Sequence, residues 1–138
     1  MPKEYAMSKL TQEMKDMIGS QQCFMATVGK DGMPNVAPKR STRVFNDEAL
    51  IFTEGTGGAT YRNILDGSKV AVGVVDRAIP DGYRFICKPE FQNSGEAFEK
   101  AKEMSMKTTG RPPYGVVILH IEEIHSLKPG PTAGKKIG

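Results

Sequence analysis

The sequence predicts a mainly β protein in which six antiparallel strands form a closed or nearly closed barrel, with helices only at its edges. Six short segments carry the apolar and β-branched residues of strands, and turn residues separate most of them. Only two segments show clear helical periodicity. The 138 residues have the size of one domain, and short strands at close spacing are typical of antiparallel barrels. We therefore expect a single domain over residues 1–138.

The first helix is predicted over residues 8–18, where Met14 and Met17 lie on one face and Gly19 supplies a C-cap. Its methionines are expected to fill gaps in the core or to contact a partner subunit. A second amphipathic helix is predicted over residues 96–106.

Turn residues mark the boundaries of the predicted strands. Gly-Lys-Asp-Gly at 29–32, Asn-Asp-Glu at 46–48 and Ile-Pro-Asp-Gly at 79–82 each favour a reversal of the chain. A glycine-rich break at 55–58 opens a short helix that runs to about Leu65. The predicted strands span residues 23–28, 34–45, 49–54, 69–76, 83–87 and 114–121.

Composition and charge exclude several classes of protein. With 25% charged and 38% hydrophobic residues, the chain is globular rather than disordered. A net charge of +3 is too small by itself to indicate a nucleic-acid or membrane partner. The chain has no run of about 18 apolar residues, and its first residues lack the apolar core of a secretion signal. We therefore expect no membrane partner and a cytoplasmic location.

Cysteine and histidine spacing predicts no metal site. Cys23 and Cys87 are far apart and form no C-x-x-C pair, so buried free thiols are expected. His120 and His125 are five positions apart near the last predicted strand, and they should face different directions.

The most informative segment is the predicted strand 34–45, which places Lys39, Arg40 and Arg43 within five residues. Alternation along a strand would put Lys39, Ser41 and Arg43 on one face and Arg40 on the other. Such a charged strand can be a solvated edge that resists aggregation, which is the favoured interpretation of this segment taken alone. It can also be an anion site, because arginine matches phosphate oxygens with a planar fork.

A second segment, 53–63, is a glycine-rich break between a strand and a helix. Backbone N–H groups at a helix start can bind phosphate, although Gly57 and Gly58 also suit a simple turn and Thr60 a helix cap. The segment matches neither the Walker A nor the Gly-x-Gly-x-x-Gly pattern. Glu54 beside the glycines could donate a proton or orient a substrate, but we expect a surface carboxylate.

The order of these segments resembles the FMN-binding split barrels of the pyridoxamine 5'-phosphate oxidase-like family. The resemblance covers nearly the whole chain. Its main pieces are Ala-Thr-Val-Gly-Lys-Asp-Gly-Met-Pro-Asn-Val-Ala-Pro-Lys at 26–39, Gly-Gly-Ala-Thr-Tyr-Arg-Asn-Ile at 57–64, Lys-Val-Ala-Val at 69–72 and the closing residues 127–137. It implies a six-stranded antiparallel split β-barrel of the small single-domain branch, which holds FMN at the interface of a homodimer. The tail 128–138 would be frayed or would cross to the partner subunit.

The resemblance also implies a set of flavin-binding residues. The strand from Val36 to Arg40 would line the flavin ring and ribityl chain, Thr53 would touch the ring, and Thr60 and Asn63 would lie at the phosphate end. The full predicted set is Val36, Ala37, Pro38, Lys39, Arg40, Thr53, Gly58, Thr60, Arg62 and Asn63.

One position departs from the family pattern. Relatives usually have a lysine directly before the threonine, where this chain has Ala59. Because a phosphate monoester carries nearly two negative charges, Lys39, Arg40, Arg43 or Arg62 would have to replace the missing cation.

The predicted function is an FMN-binding oxidoreductase in which the flavin transfers a hydride or electrons to or from a small molecule. No residue stands out as a catalytic acid or base, and this suits a flavin reductase or an electron-transfer protein. True pyridoxamine phosphate oxidase activity is not expected, because the chain is short and has no second basic cluster for a substrate phosphate.

Other functions stay open at this point. The same pocket could serve a non-catalytic FMN carrier or sensor, and some relatives hold haem or the deazaflavin F420 instead of FMN. Neither histidine is well placed for haem. A basic barrel that binds single-stranded nucleic acid ranks last, because Phe45, Phe52, Phe85 and Phe91 occupy strand positions typical of a core.

Overall fold

The structure is a computed structural model, and it describes residues 9–138. The predicted start of the first helix at Ser8 and the leading segment on which the expected location depends lie outside these residues. The elements in chain order are α1 (Gln12–Ser20), β1 (Cys23–Val28), β2 (Pro34–Pro38), β3 (Arg43–Asn46), β4 (Ala49–Glu54), α2 (Ala59–Leu65), β5 (Val70–Asp76), β6 (Asp81–Gln92), α3 (Glu96–Thr109) and β7 (Gly115–Ser126).

The mainly β fold with flanking helices is confirmed, but the sheet has seven strands and not six. All pairs of neighbouring strands are antiparallel, in the order β2-β1-β5-β6-β7-β4-β3. The strand predicted over 34–45 is in fact β2 and β3, which lie at opposite edges of the sheet.

A tight turn divides these two strands. The pairing of β2 with β1 ends where the Lys39 N–H donates to the Cys23 carbonyl at 3.2 Å. The Thr42 N–H and hydroxyl then both donate to the Lys39 carbonyl, at 3.1 and 2.7 Å. The expected alternation of Lys39, Ser41 and Arg43 on one strand face is therefore wrong, because residues 39–42 turn.

The connection between β2 and β3 also determines the shape of the sheet. Only four residues link its two edge strands, so the sheet must curl until its edges approach each other. Within residues 9–138, no ladder of hydrogen bonds joins β2 to β3. The result is a split barrel whose sheet is not closed.

Strands β6 and β7 are longer than the sequence predicts. They pair from Tyr83 with Ser126 to Gln92 with Val116, with a bulge after Ile86. The polar residues Glu122 and Glu123, which follow the predicted end of the last strand at residue 121, lie inside β7. Extended pairing between two long neighbours therefore overrides the weak local strand signal.

Two clusters of apolar side chains lie on opposite faces of the sheet. The larger cluster fills the barrel and includes Met14 and Met17 of α1, which confirms their predicted place in the core. The smaller cluster lies between α3 and the outer face of β4 and β7. Strand β4 is buried on both sides: Leu50, Phe52 and Glu54 are fully buried, while Ala49 and Ile51 lie under α3.

The tail folds back along the end of β7 of its own chain. The Ser126 N–H donates to the Lys135 carbonyl at 2.9 Å, and the Ile137 N–H donates to the Ile124 carbonyl at 2.7 Å. The tail is thus paired rather than frayed, and its contact with a partner subunit stays a prediction. Within residues 9–138, no helix is both long enough and apolar enough to cross a membrane.

Candidate functional site

The two segments singled out in the sequence, 34–43 and 53–63, come together in space. Polar side chains on the β2–β3 side each bond a residue of the β4–α2 side. These contacts are Asn35 Nδ2 to Thr60 Oγ1 at 3.1 Å, Lys39 Nζ to Glu54 Oε1 at 3.1 Å and Ser41 Oγ to the Thr53 carbonyl at 3.2 Å. The structure therefore brings together residues that lie well apart in sequence.

Glu54 is the central side chain of this region. It is fully buried, contrary to the expected surface carboxylate, because alternation in β4 places it on the inner face with Leu50 and Phe52. One carboxylate oxygen accepts from the Lys39 ammonium, whose side chain is 12% exposed. The other accepts from the Thr56 N–H, the Thr56 hydroxyl and the Gly57 N–H, each at 3.0 Å.

These bonds decide the protonation of Glu54. Burial acts to raise the pKa of the carboxyl group, but the N–H groups of Gly57 and Thr56 and the Lys39 ammonium outweigh it. They hold the pKa of Glu54 below its ordinary value. An ionised carboxylate with this set of donors orders the loop, and it is not a proton donor.

The glycine-rich turn is shaped by the same contacts. The N–H groups of Thr56 and Gly57 donate to Glu54, so they do not point at a ligand. Gly57 has φ of +67°, and a Cβ there would lie 2.7 Å from the Tyr114 ring. Only glycine fits this position without strain.

Helix α2 is anchored to the β1–β2 hairpin. Its N-cap is Gly58 and not Thr60, which lies in the first turn, is 3% exposed and accepts from Asn35. Asn63 Nδ2 donates to Thr27 Oγ1 at 3.0 Å. Thr60 and Asn63 therefore hold the helix against the barrel.

The cations of the predicted set differ in their partners. Lys39 is paired with Glu54, whereas no ion pair within residues 9–138 includes Arg40, Arg43 or Arg62. Arg40 and Arg62 are exposed. Two cations on the predicted flavin-binding segments are thus open to an anion.

An apolar surface lies on the outer side of β2, β1 and β5, and we call it the apolar sheet face. It consists of Pro34, Val36, Pro38, Phe24, Ala26, Val28, Ala71, Gly73 and Val75. Val36 at its edge is 68% exposed, and Phe24 and Val28 are nearly half exposed. A contiguous apolar surface of this kind marks an interaction site.

The other candidates lie elsewhere. His120 bonds Glu90 at 2.7 Å, and His125 bonds Glu123 at 2.9 Å. Within residues 9–138, no group of three or more potential ligands could hold a metal ion.

The two cysteines are buried free thiols, as predicted. Burial raises the pKa of Cys23 to about 11 and also raises that of Cys87, so neither thiol is an activated nucleophile.

Sequence reasoning missed several residues of this region. Asn35, Thr27 and Ser41 orient its elements but look like ordinary strand and turn residues. Tyr114 was treated only as the start of the last strand, although it packs on Gly57. For Asn35 a usable signal exists, because alternation in a strand with outward-facing Val36 turns Asn35 inward.

Comparison with known proteins identifies the family. The family model named pyridoxamine 5'-phosphate oxidase matches residues 10–128. HupZ of Group A Streptococcus is similar over 91% of this chain and 99% of its own, with 41% identity and a TM-score of 0.80. An uncharacterized protein of Methanocaldococcus jannaschii is 35% identical over 94% of this chain and 88% of its own.

A more distant structure shares the fold. An FMN-binding protein from Syntrophomonas wolfei has a TM-score of 0.75 at 18% identity, over 94% of this chain and 92% of its own. At this identity the similarity shows the fold alone. The family model and the two closer relatives together show that this chain belongs to the pyridoxamine 5'-phosphate oxidase family.

Proposed function

We propose that the protein binds FMN between two copies of the chain and acts as a flavin-dependent oxidoreductase. The observation that carries this proposal is the exposed apolar strand β2, which ends two residues before Arg40 and lies beside the helix that carries Arg62. Family membership supports a flavin, and an FMN-binding protein has the same fold.

The apolar part of the site fits a flavin ring. Val36 and Pro38 project from β2 onto the apolar sheet face, while Ala37 between them points inward. Since the Lys39 N–H donates to the Cys23 carbonyl, the backbone groups of Ala37 face β1 and those of Val36 face the free edge of the sheet. A flat aromatic ring can pack on such a surface and accept or donate hydrogen bonds along the strand. The residues Val36, Ala37 and Pro38 would therefore bind and orient the isoalloxazine.

The polar part of the site fits a phosphate, but different cations would bind it than the sequence alone suggests. Lys39 is committed to Glu54, so we assign the phosphate charge to Arg40 and Arg62. Ala59 supplies no cation, and two guanidinium groups can replace it because each offers a planar fork of donors. Gly58 begins α2 without a side chain that would obstruct a ligand.

The remaining residues position this site. Thr60 and Asn63 fix α2 on the hairpin, and Thr53 is held by Ser41. FMN, when bound, supplies the hydride or electron chemistry. Glu54 is held ionised, so it offers no proton at neutral pH. This favours a flavin reductase or an electron-transfer protein.

The test is the uptake of FMN by the purified full-length chain. Wild-type protein should be yellow or should become so with added FMN, and the released chromophore should be identified as FMN rather than F420 or haem. Arg62→Gln should weaken FMN binding by about tenfold, as expected for the loss of one charge-assisted contact. Arg77→Gln, in the exposed turn after β5, is the matched control and should bind as the wild type does. A colourless protein that takes up no FMN would overturn the proposal.

A second candidate uses the same site without turnover. The ionised state of Glu54 also suits an FMN carrier or sensor. Reduction of the bound FMN by NADH or NADPH, followed by electron transfer to a dye, distinguishes the two. A nucleic-acid barrel is not supported, because Phe52 and Phe85 are fully buried and cannot stack on bases.

A further inference from the structure

We propose that a cavity between β3 and the start of α3 binds a small organic anion with an apolar body. We call it the α3 cavity. It has a volume of about 840 Å³, and the lining residues used below are Arg43, Phe45, Ile51, Phe91, Ala97 and Lys100. It lies on the outer face of the sheet, and its occupation does not depend on a bound flavin.

The floor of the α3 cavity is apolar. Ile51 of β4 is buried beneath α3, and Ala97 is partly buried beside it. Phe91 packs against the larger cluster and also lines the cavity. Phe45 was predicted to lie in the core, yet it is 44% exposed and lines this cavity. A large aromatic side chain at the edge of an apolar floor suits the hydrocarbon part of a ligand.

One wall carries a cation whose charge is not balanced by a neighbour. Arg43 Nη1 donates to the Ser41 carbonyl at 2.8 Å and to Thr53 Oγ1 at 3.4 Å, and both acceptors are neutral. Within residues 9–138, no carboxylate forms an ion pair with Arg43. Burial lowers the pKa of Arg43, although the residue as a whole is exposed. A guanidinium without a carboxylate partner at a cavity wall can bind an anionic ligand.

A second cation lies on the opposite wall. Lys100 of α3 is 3.6 Å from Glu96, but both side chains are more than three-quarters exposed. Exposed pairs of this type contribute little, so Lys100 can exchange Glu96 for a ligand.

The cavity thus combines two cations and the Glu96 carboxylate with an apolar floor. Its volume falls within the range of small-molecule sites, about 300 to 1,000 Å³. These features suit a carboxylate or sulfonate attached to an aromatic or aliphatic body.

The α3 cavity adjoins the proposed flavin site but has a different lining. The two meet at Thr53, whose hydroxyl accepts from Arg43. The flavin proposal depends on β2, Arg40 and Arg62, and none of these lines the cavity. Failure of anion binding would therefore leave the FMN proposal unaffected, and failure of FMN binding would leave this one unaffected.

The test uses the fluorescent anion 8-anilinonaphthalene-1-sulfonate with the full-length chain. Wild-type protein should bind it saturably, and Arg43→Gln should weaken binding by about tenfold. Arg43→Lys should recover part of the affinity, and the exposed Arg77→Gln should leave it unchanged. The neutral probe N-phenyl-1-naphthylamine should bind Arg43→Gln and wild type equally.

A second pair of variants locates the probe. Ala97→Phe narrows the α3 cavity without touching the Arg43 hydrogen bonds, and it should weaken binding of the anionic probe. Val28→Gln changes the apolar sheet face instead and should leave binding unchanged. Thermal unfolding shows that each variant is folded. The proposal is overturned if Arg43→Gln and Ala97→Phe both retain wild-type affinity, or if Val28→Gln alone removes it.

Discussion

At the scale of single residues, the pair of Glu54 and Lys39 has the greatest effect on the candidate site. Glu54 has three donors besides Lys39, whereas Lys39 has the Glu54 carboxylate and a contact with the Phe52 ring at 5.6 Å. Removing the carboxylate leaves a largely buried cation and the loop donors without an acceptor. Removing the cation leaves Glu54 still hydrogen-bonded. The two substitutions should therefore have unequal costs.

We expect Glu54→Leu to lower the free energy of unfolding by about 3 to 5 kcal/mol. Lys39→Met should cost clearly less, because the donors of Thr56 and Gly57 still satisfy Glu54. Urea unfolding of both variants measures the difference. Lys100→Met, which breaks an exposed pair, is the control and should unfold as the wild type does. Equal losses for Glu54→Leu and Lys39→Met would contradict this account.

The ionisation of Glu54 also makes stability depend on pH. Its pKa is lower in the folded protein than its ordinary value of 4.5, so the unfolded state binds the proton more readily. Its contribution is present in full above pH 4.5 and is lost as the pH falls toward the folded pKa. Partners also lower the pKa of Asp47, Glu90 and Glu123, so wild type alone does not isolate Glu54.

A comparison of wild type with Glu54→Gln isolates the contribution of Glu54 to the pH dependence of stability. Urea midpoints between pH 7 and pH 3 should fall more steeply for wild type than for Glu54→Gln, because the amide has no proton to gain. Parallel curves for the two proteins would show that Glu54 does not carry the acid sensitivity. The curves should converge at low pH, where both side chains are neutral.

At the scale of elements, the turn between β4 and α2 is fixed by backbone conformation as well as by Glu54. Gly57 has positive φ and lies against the Tyr114 ring, whereas a Cβ at Gly55 would meet nothing within 4 Å. Gly57→Ala should therefore destabilise the protein by about 1 to 3 kcal/mol, through strain and displacement of the ring. Gly55→Ala is the matched control and should change stability little. Thermal unfolding measures the difference, and equal midpoint temperatures for the two variants would contradict this prediction.

The bounds of some strands could be predicted from the alternation of apolar and polar residues. Strands β1 and β4 have the predicted bounds, because each alternates or is continuously apolar between clear turn residues. Leu50, Phe52 and Glu54 occupy alternate positions of β4, so they share one face. This spacing could also have shown that the Glu54 carboxylate is buried. The separation of β2 from β3 was not predictable in this way, since Lys39 to Arg43 contain no glycine or proline. Local pattern does not show where a strand changes its hydrogen-bonding partner.

At the scale of the whole molecule, strand order is a long-range property. Local patterns predicted a mainly β barrel, and the family resemblance supplied the split-barrel topology. The convergence of 34–43 with 53–63 depends on contacts such as Asn35 with Thr60, which sequence periodicity does not encode. The surroundings of Arg43 could not be predicted from local pattern either. Its side chain faces a cavity formed with α3, which begins about fifty residues later in the sequence.

The apolar sheet face is the strongest reason to expect a dimer. Exposed Val36, Phe24 and Val28 would cost free energy in water, and a two-fold partner with the same surface would cover them. Such an interface would also place the proposed flavin-binding strand β2 next to the second protomer. The tail would then be free to contact that protomer while it stays paired with β7.

Val36→Glu should therefore shift the protein from dimer to monomer, because it places a charge within the proposed interface. Sedimentation equilibrium over a range of concentrations measures this change, and FMN affinity should fall with it. Ile79→Glu is the matched control, since Ile79 is 62% exposed in the turn after β5 and lies outside the apolar sheet face. A wild-type protein that sediments as a monomer, or a Val36→Glu variant that remains dimeric, would show that this face does not join two copies.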